Sequence, residues 1–126
     1  MLNIRLRCAC LALLAAAAAC SPRTEPELPP QTYREAVTAF YVGLSAMQTT
    51  QEVLAKERFE RAAALVPREP AVWANLGLLL LRQQDLDQAA QHIARAASLA
   101  PDSAAIQRLQ ALAESRRGNL PQAIAH

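Results

Sequence analysis

The side chains able to do chemistry in this chain are few and scattered. There are three cysteines, Cys8, Cys10 and Cys20, and two histidines, His92 and His126. A nucleophile needs a base within hydrogen-bond reach, and a zinc site needs three or four ligands at set spacings. His92 stands beside Ile93 with no acid at a helical spacing suited to a triad or a metal site. Asp85 and Asp87 flank a predicted helix start, where carboxylates cap free N–H groups. The only glycines, Gly43, Gly77 and Gly118, lie too far apart to form a phosphate-binding loop. The chain is therefore expected not to be an enzyme, and to take no cofactor and no metal. What remains is recognition chemistry. Asn75 offers an amide that can donate and accept, and Arg82, Arg108 and Arg116 offer forked donors for carboxylates.

The elements that position these groups start with the first thirty residues. Arg5 and Arg7 precede a continuous apolar run, Cys8 to Ala19. Twelve apolar residues suit the h-region of a signal peptide and are too few to span a bilayer as a helix. The run closes on Ala17-Ala18-Ala19-Cys20-Ser21. Small residues directly before a cysteine resemble the lipobox of bacterial lipoproteins, with Ala17 where that family usually has Leu. The resemblance implies that residues 1–19 are removed and that Cys20 is acylated, anchoring the chain in a lipid bilayer. Ser21, rather than Asp, after Cys20 implies by the same resemblance the outer membrane, facing the periplasm. The alternative is a secreted chain released by an A-x-A cleavage after Ala19.

Processing changes the charge. The whole chain carries 13 basic and 11 acidic side chains, and Arg5 and Arg7 leave with the signal. The balance that remains is neutral, so the pI of 8.6 is no sign of nucleic-acid binding. Cys20 is then the sole cysteine, which forbids an intrachain disulfide. Four prolines between Ser21 and Pro30 disfavour a helix and predict an extended tether over residues 20–30. At about 3.1 Å per residue, it would hold the folded part about 30 Å from its anchor.

Residues 31–126 read as helices of about 12 to 17 residues with a 34-residue period. Ala55, Phe59, Ala62 and Pro67 recur as Ala89, Ile93, Ala96 and Pro101, and Gly43 recurs as Gly77. Trp73, Leu76, Gly77, Leu80, Ala89, Ile93, Ala96 and Pro101 resemble the tetratricopeptide repeat (TPR) at its eight hallmark positions. The implied fold is all-α, a solenoid of about two and a half helical hairpins, with repeats near 36–69, 70–103 and 104–126. Thr49-x-x-Glu52 reads as a capping box opening the second helix. Ala39 stands where Trp is usual, and Tyr33, Phe40 and Tyr41 are expected to fill that space. Gln107, Gln110 and Glu114 occupy positions that are normally apolar in the third repeat.

The resemblance also implies which surface binds. The first helix of each TPR hairpin lines a concave groove, which assigns Phe40, Tyr41, Leu44, Met47 and Gln48 from the first repeat. The second repeat supplies Asn75, Leu78, Leu81 and Arg82, and the third supplies Arg108, Leu112 and Arg116. The run Leu78-Leu79-Leu80-Leu81 makes a helix apolar all round, with Leu78 and Leu81 expected on the groove. The expected function is a membrane-anchored adaptor that binds a partner protein or peptide, with no role in nucleic-acid binding. Homodimerisation through the third repeat is a further expectation. The alternative is a docking or spacer segment of a larger exported protein. The repeats resemble the N-terminal segment of bacterial secreted proteins in which TPRs precede an FG-GAP-type propeller.

Overall fold

The structure is a computed structural model that describes residues 27–118. The signal segment, Cys20, most of the tether and residues 119–126, His126 included, lie outside the described residues. Among the described residues five helices follow one another: α1 Pro30–Gln48, α2 Glu52–Leu65, α3 Pro70–Arg82, α4 Leu86–Leu99 and α5 Ala104–Arg116. Among the described residues there is no strand, and no helix is long and apolar enough to cross a membrane. The helices α2 and α4 begin 34 residues apart, as do α3 and α5. The all-α solenoid of hairpins read from the period is the fold observed.

Local chemistry fixes the helix starts. Pro30 and Pro70 open α1 and α3 at a position whose N–H has no partner within the helix, so proline costs little there. Glu69 accepts from the Ala71 N–H at 3.2 Å, Asp85 from that of Gln88 at 3.3 Å, and Ser103 from that of Ile106 at 3.4 Å. Asp85 is thus the cap expected of it. Thr49 is not. Its hydroxyl donates back to the Ser45 carbonyl at 3.0 Å, so it closes α1 rather than opening α2.

The turn after each of α1, α3 and α5 is also periodic. Thr50, Gln84 and Gly118 have φ of 60°, 63° and 81°, and they are spaced by 34 residues. Each lies just beyond the end of a hairpin's first helix. The left-handed residue turns the chain so that the next N–H reaches back: Gln51 to the Ala46 carbonyl at 2.8 Å, and Asp85 to that of Leu80 at 3.0 Å. This is the Schellman closure of a helix C-terminus.

Each hairpin packs most extensively on itself, α1 against α2 and α3 against α4. The crossing points are the repeat's small residues. A Cβ on Gly43 would stand 2.8 Å from the Phe59 ring, and one on Gly77 would stand 2.5 Å from Ile93 Cγ1. Glycine is what lets the two backbones approach. The residues of α2 and α4 that meet these helices, Ala55, Phe59, Ala62, Ala89, Ile93 and Ala96, have no exposed surface. The first helices of the hairpins, α1, α3 and α5, also touch in series, so they share one face of the molecule.

Ala39 is buried where the second repeat has Trp73. Phe40 packs against Phe59 with ring centroids 5.9 Å apart. Tyr33 and Tyr41 do not fill the space: they are 59% and 65% exposed. For Tyr33 the reason is the length of α1. It starts six residues before the repeat frame, and those residues, with Tyr33 among them, extend past the hairpin's core.

Candidate functional site

The shared face of α1, α3 and α5 carries the residues assigned to binding, and the structure divides them. Phe40, Leu44, Met47 and Leu78 are half-buried, with part of each side chain left at the surface. Leu112 on α5 is 40% exposed. Leu81 is not available: it has no exposed surface and belongs to the main core cluster with Leu79, Leu80 and Ala113. The helix α5 packs over this end of α3 and closes the leucine run from that side. Of the leucines assigned to the groove on α3, Leu78 alone reaches the surface.

Two of the arginines are already engaged within the chain. Arg82 Nη1 donates to the Met47 carbonyl at 3.0 Å, and Arg116 Nη1 donates to the Leu81 carbonyl at 3.2 Å. These are the same bond, moved by one repeat. In each, an arginine at the end of one helix reaches an end carbonyl of the preceding first helix. Such carbonyls have no partner within their own helix, and a cation there also complements the helix dipole. Arg82 is held further by Glu52, with N to O at 3.5 Å. These two side chains link successive repeats and are not free carboxylate receptors. Arg108 is exposed and makes no such contact among the described residues.

Asn75 is half-committed. Its Nδ2 donates to the Ala71 carbonyl of its own helix at 2.8 Å. The side-chain oxygen and the second Nδ2 hydrogen remain, so Asn75 can still receive one hydrogen bond and give another.

A second periodic bond explains an apparent departure from the repeat. Trp73 Nε1 donates to the Pro67 carbonyl at 2.9 Å, and Gln107 Nε2 donates to the Pro101 carbonyl at 2.8 Å. Gln107 replaces the indole as donor, although it cannot replace its apolar bulk. On the opposite side of Trp73, the ring of His92 stacks at 5.5 Å with an interplanar angle of 17°. Burial lowers the His92 pKa below 6.5; Glu60 and Asp85 oppose that shift and Lys56 adds to it.

Beside Tyr41, the shared face carries a feature that no motif in the sequence announces. Between α1 and the start of α3 lies a hollow of about 270 Å³. Tyr33, Val37 and Tyr41 line it from α1, and Glu69, Ala71 and Val72 line it from α3 and its cap. Tyr41 meets Phe40 edge-on at 5.7 Å. Only the spacing of Tyr33, Val37 and Tyr41, four and then four, hinted that they share a helix stripe. Among the described residues, no group of three or more His, Cys, Asp or Glu side chains could hold a metal ion.

Comparison with known proteins agrees with this architecture. A family profile described as the tetratricopeptide repeat matches residues 47–113. The crystal structure of MamA protein superposes with a TM-score of 0.68 at 20% identity, covering 71% of this chain and 49% of that one. This chain thus spans about half the length of that relative. A point mutant of MamA superposes with a TM-score of 0.64 at 23% identity, covering 78% of this chain and 69% of the other. No curated protein matches the sequence.

Proposed function

The chain belongs to the tetratricopeptide-repeat family, and on that premise we propose that it is a protein-binding adaptor anchored in the bacterial cell envelope. The partner, a protein or peptide, lies on the face shared by α1, α3 and α5, the side that forms the concave groove in this family. The observation that carries the reading is the apolar strip along that face. Phe40, Leu44, Met47 and Leu78 leave it half-open, and Tyr41 and Leu112 stand out from it. Large apolar and aromatic groups kept in contact with water across adjacent helices mark surfaces that another molecule covers.

Recognition here is by shape and apolar burial, with few polar groups to fix orientation. Asn75 can accept one N–H from a bound segment, and Arg108 can hold one carboxylate. Arg82 and Arg116 keep successive helices in register, so they set the curvature of the face rather than contact the partner. The anchor rests on the small residues before Cys20, and the tether on the prolines that follow. An outer-membrane position facing the periplasm follows from Ser21 in the same reading.

The test is capture of the partner from envelope extracts by the full chain. Leu78→Asp and Leu112→Asp each place a charge on the strip, and each should abolish capture while circular dichroism stays helical. Val53→Asp, at an 85% exposed site on α2, should leave capture intact. Undiminished capture by both strip variants would refute the assignment of the face. For the anchor, the N-terminal peptide of the membrane-extracted protein should begin at Cys20 and carry acyl chains. An unacylated chain in the soluble fraction would refute it.

A further inference from the structure

We propose that the hollow between α1 and α3 is a receptor for an arginine side chain presented by the partner protein. The inference rests on the reading that the shared face binds a protein, and it specifies what one end of that face selects.

The hollow exists because α1 is six residues longer at its start than the repeat requires. The extra turns carry Tyr33 beyond the hairpin, where nothing in the described chain covers it. Tyr33 and Tyr41 are two helical turns apart and therefore stand on one stripe of α1. Both rings are more than half exposed. The floor between them and α3 is aliphatic, formed by Val37, Ala71 and Val72. Among the described residues, the only charge lining the hollow is the carboxylate of Glu69. Through Oε1 that carboxylate caps α3 at the Ala71 N–H, which fixes its place at the rim.

These groups select one kind of guest. An aliphatic guest would fill the floor but leave the Glu69 carboxylate beside it without gain. A carboxylate guest would meet Glu69 as a like charge. A basic side chain satisfies all the parts: its methylene stem covers the valines while its charged head reaches the rim. There the tyrosine rings present negative π-faces and Glu69 presents its carboxylate. Arginine suits this better than lysine, because a planar guanidinium stacks on an aromatic ring and still donates edge-on to a carboxylate. Arg108, on α5 at the other end of the shared face, carries the opposite charge. A partner segment with its arginine at α1 and an acidic group toward α5 would bind in one direction only.

The experiment uses the full chain and a phage-displayed library of random dodecapeptides as probe. Selected peptides are resynthesised with a fluorophore and titrated by fluorescence polarisation. The expected peptides share an arginine flanked by apolar residues. Replacing that arginine by norleucine should weaken binding about tenfold or more, and replacing it by lysine should weaken it less. Tyr33→Ala and Tyr41→Ala should each cost about tenfold, while Tyr41→Phe keeps the ring and the affinity. Glu69→Gln keeps an oxygen for the helix cap and should cost several-fold, a difference that narrows as salt is raised. Peptides that bind without any basic residue would overturn the proposal. So would binding lost with Leu78→Asp but unchanged in both tyrosine variants, an outcome that leaves the shared face as the binding surface. Peptide binding indifferent to all these variants, or a library that yields no binder, would overturn both readings.

Discussion

Thr50, Gln84 and Gly118 perform one task with three different side chains. Each holds a positive φ just beyond the end of a first helix, α1, α3 or α5, and only the glycine does so without a Cβ against the following carbonyl. Gln84→Gly should therefore raise stability by about 0.5–1 kcal/mol, the relief of the left-handed strain exceeding glycine's extra chain entropy. A urea titration of the full chain would show the midpoint rise, and a fall would mean that Gln84 makes a contact worth more than the strain. His92 supports a second prediction at the same scale. Its pKa is lowered chiefly by burial against Trp73, so the folded state holds this proton less tightly than the unfolded chain. The stabilising contribution is complete above pH 6.5, the unfolded value, and is lost as pH falls from there to the folded value. Trp73 is the only tryptophan, so its fluorescence should titrate with a midpoint below 6.5, and His92→Gln should flatten that curve.

At the scale of elements, the 34-residue period made the helices legible because it is written in the side chains that cannot change. Gly77 must be small against Ile93, and Ala89 and Ala96 must be small where they have no exposed surface. Thus α2 to α5 fall where the period puts them. Other features are set by contacts between elements that no single stretch reveals. The start of α1 lies six residues ahead of the frame; the signal was the Pro29-Pro30 pair, read as tether but used as cap and first helical residue. Thr49 looked like a helix start and is a helix stop, and the register of Gly118 minus two periods, residue 50, was the clue. The arginine links needed knowledge of which helix ends lie side by side. Arg82 to Met47 and Arg116 to Leu81 both span 35 residues, one more than the period. The burial of Leu81 has the same origin, since α5 covers it. The link can be tested directly. Arg116→Met keeps most of the apolar stem and removes the donor, and it should cost about 1 kcal/mol. Hydrogen exchange should then quicken in α5 and at the end of α3, with α1 and α2 unchanged. Uniform quickening would show that the bond does more than join neighbouring repeats.

Across the whole molecule, near-neighbour packing governs both stability and use. Each hairpin rests on itself and on the next, so a row of first helices is left with one face open. Beside the buried core, apolar groups are also spread along a surface between α1 and α5, with Glu69 near one end and Arg108 near the other. So ordered a surface suits the protein-binding role proposed above. Its long α1 and the hollow beside it give that surface a distinct end, which a regular repeat would lack. The most direct test is site-specific photocrosslinking in living cells, with the crosslinker placed at Tyr41 on the shared face or at Val53 on α2. The account predicts a discrete protein adduct from position 41 and none from position 53. Equal adducts from both positions, or an adduct from position 53 alone, would contradict it.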